Sequence, residues 1–152
     1  MNAPVGVRRV FQPAADRLAR LARLHAAAFA PHGRGWTAAE IASLAENGPL
    51  IAADDDSGFA LLSLAADEAE LLAIAVAPSR QRAGLGAALL DSALLEAATC
   101  GAAIMHLEVA ADNAGAMALY LGRGFTKSGD RPRYYARAGG RRIDALLLAR
   151  AL

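Results

Sequence analysis

The sequence predicts an α/β fold with a mixed sheet, and three consecutive stretches carry that expectation. Glu70 to Ala77, ELLAIAVA, is apolar almost throughout and stops at Pro78, the form of a central strand buried on both faces. Gly84 to Ala98 then sets Leu85, Leu89, Leu90 and Leu94 at helical spacing, with Gly101 beyond them as a C-cap. Ile104 to Val109 returns to strand. Strands in mixed order around long helices bury both kinds of apolar face in one layered core, which is the α/β solution.

The flanking elements follow from the same rules. Val5 to Phe11 reads as a short strand, and Pro13 opens a helix in which Leu18, Leu21, Leu24, Ala28 and Phe29 recur at three- and four-residue steps. Pro31 to Trp36 is a loop. Thr37 with Glu40 three residues on has the form of a capping box, opening a second helix to about Glu46 with a thin apolar side. Leu50 to Ala53 and Phe59 to Ala66 flank the turn DDDSG, a predicted hairpin in which Gly58 supplies an awkward backbone conformation. Asn113 caps a helix running to about Leu121, Gly124 ends it, and Phe125 resumes extended chain. Asp144 to Ala149, DALLLA, fits strand or helix by pattern alone. No repeat, low-complexity segment or linker divides residues 1–152, a length suited to a single domain.

Lys and Arg total 16 against 15 for Asp and Glu, so no charge excess points to nucleic acid or an anionic membrane as partner. The lone Cys100 has no partner for an internal disulfide, which implies a reducing, cytoplasmic setting. The opening MNAPVGVRRVFQPAADR sets charge and proline where a secretory signal needs an apolar run. No stretch reaches the roughly 18 apolar residues of a membrane span. His25, His32 and His106 are far apart, without Cys or carboxylate at ligand spacing, so no metal is expected.

The chemistry concentrates in Ala75 to Leu90, AVAPSRQRAGLGAALL, where a strand passes through a glycine-rich loop into a helix. Unpaired amides at a helix start, backed by the helix dipole, favour an anion; Gly84 and Gly86 let the main chain approach it, and Arg80 and Arg82 add positive charge. The lysine of a P-loop is absent, and only two of the three Rossmann glycines are present. Two glycines spaced by one residue also describe an ordinary surface loop, so the neighbouring motifs have to decide.

QRAGLG, with Gln81, Gly84 and Gly86, resembles the Gln/Arg-x-x-Gly-x-Gly/Ala pyrophosphate motif of the GNAT superfamily of acetyltransferases. LEVAADNAGAMALYLGRGF resembles that family's second block, LEV-x-x-x-N followed by A-x-x-LY and GF. More narrowly, Glu108 with Tyr120 twelve residues later, RPRYY and the DALLL tail resemble the RimI branch, bacterial enzymes that acetylate the terminal alanine of a ribosomal protein. The likeness covers roughly residues 68 to 128 and extends through the tail; HAAAF and the Trp36 region are similar more loosely. Ala110 departs from it, standing where many members carry Arg.

The resemblance implies a mixed central sheet of about six to seven strands flanked by about four helices, with acetyl-CoA as cosubstrate. It assigns Gln81, Arg82, Ala83, Gly84, Leu85 and Gly86 to the pyrophosphate, and Ile74, Ala75 and Val76 to the pantetheine arm. The Val76 amide faces the acetyl carbonyl, a role that needs a preorganised dipole and no particular side chain. Asn113 contacts the arm besides capping its helix. Glu108 takes the amine proton directly or through water, and Tyr120 returns one to the thiolate. Trp36, Arg133, Tyr134 and Tyr135 line a peptide groove. The implied acceptor is the N-terminal α-amine of a protein, ribosomal proteins among them. With a pKa of about 8 against about 10.4 for a lysine side chain, far more of such an amine is uncharged at neutral pH, so a modest base suffices.

Each residue alone has a plainer reading: Glu108 as a solvated carboxylate on a half-covered sheet, Tyr120 as a packed helical aromatic, Trp36 and the two tyrosines as packing, Arg133 as a solvated cation. His106, two residues before Glu108, shares its strand face. Two other functions stay open at this level. One is acetylation of a small amine or a protein lysine, against which it weighs that the acidic cluster, Asp54 to Asp56, sits in the predicted hairpin turn. The other is a noncatalytic acyl-CoA-binding module.

Overall fold

The structure is a computed structural model that describes residues 5–30 and 34–152; the opening Met1 to Pro4, His32 and the start of the predicted loop, Pro31 to Gly33, lie outside the described residues. In chain order the elements are β1 (Val7–Val10), α1 (Ala15–Phe29), α2 (Ala38–Ala45), β2 (Leu50–Ala53), β3 (Gly58–Ala65), β4 (Glu68–Val76), α3 (Leu85–Thr99), β5 (Ile104–Ala110), α4 (Ala114–Gly122), β6 (Thr126–Ala136) and β7 (Arg142–Ala151). The strands form one sheet in the order β1-β2-β3-β4-β5-β7-β6, antiparallel except for the central β4–β5 pair. DALLLA is therefore strand, resolved by its pairing with β5 on one side and β6 on the other.

Two apolar clusters sandwich the sheet. One gathers Ile51, Ala60, Leu62 and Leu71 with Leu85, Leu89, Leu90 and Leu94 of α3; the other gathers Leu50, Ala52, Phe59 and Leu61 with Leu21, Leu24 and Ile41 of α1 and α2. Because helices cover both faces here, all four residues of β2 and the first five of β3 are buried. β4 is covered on both faces along its apolar part, with Leu71, Ile74 and Val76 on the α3 cluster and Leu72 and Ala75 on the other, and its exposed positions are Glu68 and Glu70.

The turn before β3 corrects a second expectation. The left-handed residue is Asp56, with φ 58°, not Gly58. Gly58 is glycine for want of room: a Cβ there would lie 3.0 Å from side-chain atoms of Leu85 and Leu89 and 3.1 Å from the Ala75 carbonyl oxygen. Thr37 accepts from the Glu40 amide at 3.1 Å and opens α2 as a cap should.

His25 is the polar residue buried within the α1 side, 3% exposed and stacked between Phe29 and Trp36 at 4.3 and 4.5 Å. Its Nδ1 accepts from the Trp36 amide at 2.9 Å, so the ring is neutral with its proton on Nε2, which has no partner among the described residues. Burial pushes its pKa below the ordinary 6.5, with nearby Glu40 opposing. The unfolded chain therefore takes up this proton first, and the stability that neutral His25 contributes is complete above about 6.5 and lost as pH falls below it. His25→Phe is expected to flatten the fall in melting temperature between roughly pH 7 and pH 5. A variant as acid-sensitive as the parent would contradict this.

Candidate functional site

The glycine loop is shaped by its backbone. Gly84, with φ 88°, is the N-cap of the 15-residue α3 and offers no side-chain acceptor, so the first-turn amides are left for an external anion. A Cβ on Gly84 would find no protein atom within 4 Å, so the loop fronts open space of the kind a diphosphate needs. Arg82 is also left-handed, with φ 63°, a strained conformation of the sort that collects at functional loops. Arg80 is committed elsewhere, paired with Asp55 at 3.1 Å. A Cβ on Gly86 would lie 3.7 Å from Leu119 of α4 and 3.9 Å from Val76, so the start of α3, the end of β4 and α4 meet at one place.

The strands beside this loop part. β4 and β5 pair only from Glu68–Ile104 to Leu71–Leu107, although β4 continues to Val76 and β5 to Ala110. The cause is a bulge: Leu61 pairs with Ala73 and Leu62 with Leu71, which leaves Leu72 as an extra residue on β4. One inserted residue reverses the side-chain alternation, so Leu71 belongs to the α3 cluster, Ala75 to the α1 cluster, and Ile74 and Val76 pack on the α3 side. Beyond the bulge no strand of the described residues lies against the β5 edge of β4. The Ala77 amide donates to Ser57 on the β3 side, so one residue back the Val76 N–H and C=O face the opening. The Val76 oxygen accepts from the Gln81 side chain at 3.3 Å, which ties the loop to the strand end.

Glu108 is the first β5 residue past the parting. Leu107 and Val109 point into the α3 cluster, so Glu108 emerges on the opposite face, together with His106. His106 lies 3.6 Å from Glu68 and has no direct tie to Glu108. The partner of Glu108 is Arg131, Nε to Oε1 at 2.9 Å. Arg131 sits over the Tyr134 ring at 5.5 Å, and Tyr134 meets Tyr135 edge-on at 5.1 Å. Burial raises the Tyr135 pKa, and the negative charge of Glu108 raises it further, which marks the two as neighbours.

Arg133 is held by its main chain. It is left-handed, φ 54°, in a β6 irregularity between Arg131 and Tyr135. Its amide donates to Asp144 at 2.8 Å, while Arg142 donates to the carbonyls of Arg133 and Tyr134 at 2.8 and 3.2 Å. Arg131, Asp144 and Arg142 carry no mark in the sequence that separates them from like residues nearby, though Pro132 signals an interrupted edge strand. Trp36 is half-buried against His25 in the α1 cluster, a packing position.

On the α3 side Tyr120 is buried with its ring edge-on to Phe125 at 5.8 Å, and burial pushes its pKa up to about 12. Its hydroxyl bonds to none of the described residues and stays protonated at any working pH. Asn113 accepts from the Ala116 amide at 3.2 Å and so caps α4. The acidic turn is neutralised: Asp54 pairs with Arg8 at 2.8 Å, Asp55 with Arg80, and Asp56 with Arg17 and Arg20 at 2.7 and 2.9 Å. Among the described residues no group of three His, Cys, Asp or Glu is placed to hold a metal, and no helix is long and apolar enough to cross a membrane.

Comparison with known proteins finds related sequences and folds. The profile of the acetyltransferase (GNAT) family matches residues 16–125. The [ribosomal protein bS18]-alanine N-acetyltransferase of Escherichia coli K12 is 42% identical over 106 residues, 70% of this chain and 67% of that one. The crystal structure of the ribosomal-protein-S18-alanine N-acetyltransferase from Escherichia coli superposes with a TM-score of 0.83 at 32% identity, covering 96% of this chain and 92% of that one. A ribosomal-protein-alanine N-acetyltransferase from Brucella melitensis shares the fold, with a TM-score of 0.81 at 20% identity over 97% of this chain and all of that one.

Proposed function

The chain belongs to the acetyltransferase (GNAT) family, and from that premise we propose that it transfers acetyl from acetyl-CoA to the N-terminal α-amine of a protein, a ribosomal protein beginning with alanine being the acceptor. The observation that carries this reading is the parting of β4 from β5 at Glu108, with the glycine loop and Tyr120 on one face and Glu108 on the other. Such a slot lets donor and acceptor approach the same point from opposite sides of the sheet, the arrangement that direct transfer requires.

Bound acetyl-CoA supplies an activated thioester carbonyl and a thiolate leaving group. The amides of Gly84 to Gly86 and the Gln81–Val76 tie hold the diphosphate and fix the loop to the strand, with Arg82 and Ala83 completing the turn. Ile74 to Val76 offer the pantetheine arm an unpaired strand edge, and the Val76 N–H stabilises charge developing on the carbonyl oxygen. Glu108 accepts the amine proton directly or through one water. Tyr120 donates to the departing sulfur; the apolar surroundings that keep its own proton on also raise the proton affinity of a thiolate forming beside it. Asn113 lies at the α4 start, within the same block. Tyr134, Tyr135 and Arg133 border the acceptor side.

Asp54, Asp55 and Asp56 are held in ion pairs and so are not free for a small polycation, which favours a peptide amine. A ribosomal acceptor puts the reaction in the cytoplasm. Acetyl-CoA offered with peptides of different first residues, lysine peptides with blocked N-termini and polyamines distinguishes the acceptors. Thiol release is expected with an alanine N-terminus and at least about tenfold more slowly with blocked lysine peptides, as the amine pKa values imply. Faster turnover of polyamines or lysine would contradict the acceptor assignment.

A further inference from the structure

We propose that Arg131 is a positioning residue for the transfer, fixing the Glu108 carboxylate so that its second oxygen is presented to the amine. The inference rests on the reading of Glu108 as the base. Arg131 Nε lies 2.9 Å from Glu108 Oε1. That oxygen is shut off from solvent and receives no hydrogen bond from the described residues, so the guanidinium charge is what compensates it there. Without the cation the carboxylate gains by swinging out to water, away from the opening between β4 and β5.

Arg131 is itself braced. Its backbone pairs with Ala145 of β7, directly before the irregularity pinned by Asp144 and Arg142, and its guanidinium stacks over Tyr134. This is poor machinery for stability, since the Arg131 side chain is 57% exposed and an exposed pair adds little to folding. It is suitable machinery for holding one side chain in one rotamer. The edge strand β6, exposed along nearly its whole length, would then owe its contribution at this point to delivering Arg131 and the adjoining tyrosines.

A double-mutant cycle separates this role from a merely structural one. Arg131→Met is expected to lower kcat about tenfold, with the KM for acetyl-CoA within about twofold and the melting temperature within a few degrees of the parent. Arg131→Lys, which keeps the charge, should recover part of the rate. In a Glu108→Gln background the Arg131→Met change should alter kcat by less than about twofold, because the group it positions is gone. An unchanged kcat in Arg131→Met, or a full tenfold loss in the Glu108→Gln background, would overturn the inference. An unchanged kcat in Glu108→Gln alone would instead remove the reading of Glu108 as base, and this inference with it.

Discussion

Tyr120→Phe is expected to lower kcat by about 10²- to 10³-fold while leaving the Kd for acetyl-CoA within about twofold. The ring contributes packing, buried against Phe125 and the α3 cluster, and phenylalanine keeps that contact. The hydroxyl bonds to none of the described residues, so its removal strands no partner and should cost the fold almost nothing. What disappears is a proton donor whose pKa, about 12, keeps it loaded throughout the neutral range. The loss should therefore fall on the transfer step, visible as reduced kcat with unchanged coenzyme binding. Wild-type turnover in the variant would take Tyr120 out of the acid role.

Gly84→Val should weaken acetyl-CoA binding by about 100-fold, equivalent to about 2.7 kcal/mol. The fold has room for the side chain, since no protein atom lies within 4 Å of its Cβ, but a β-branched residue cannot hold φ 88° without strain. Relief of that strain turns the first α3 amides away from the diphosphate, and the added methyls fill the space in front of them. Gly86→Ala is the control: its Cβ would make ordinary contacts with Leu119 and Val76, so binding within a few-fold of wild type is expected. Equal affinities for wild type and Gly84→Val would remove the loop from the coenzyme site.

Much of this site could be read before the fold was known, because its parts are local. A strand, a glycine turn and a helix start lie within Ala75 to Leu90, and Asn113, Tyr120 and Gly124 follow one helix in order. The sheet order and the parting of β4 from β5 were not legible, because they depend on one extra residue at Leu72, which differs in no obvious way from its apolar neighbours. Burial on both faces was legible for ELLAIAVA and less so for β2 and β3, because cover is decided by where the helices land. The pairing of Asp54 to Asp56 with arginines up to 46 residues away in sequence was not legible either. Arg131 beside Glu108 belongs to the same class of long-range pairs that spacing does not encode.

The central claim is that the β4 end and the α3 start together hold a thioester coenzyme. Calorimetric titration of the purified protein with acetyl-CoA tests it most directly. Saturable heat with one coenzyme per chain is the predicted result; no heat up to millimolar coenzyme would contradict the account.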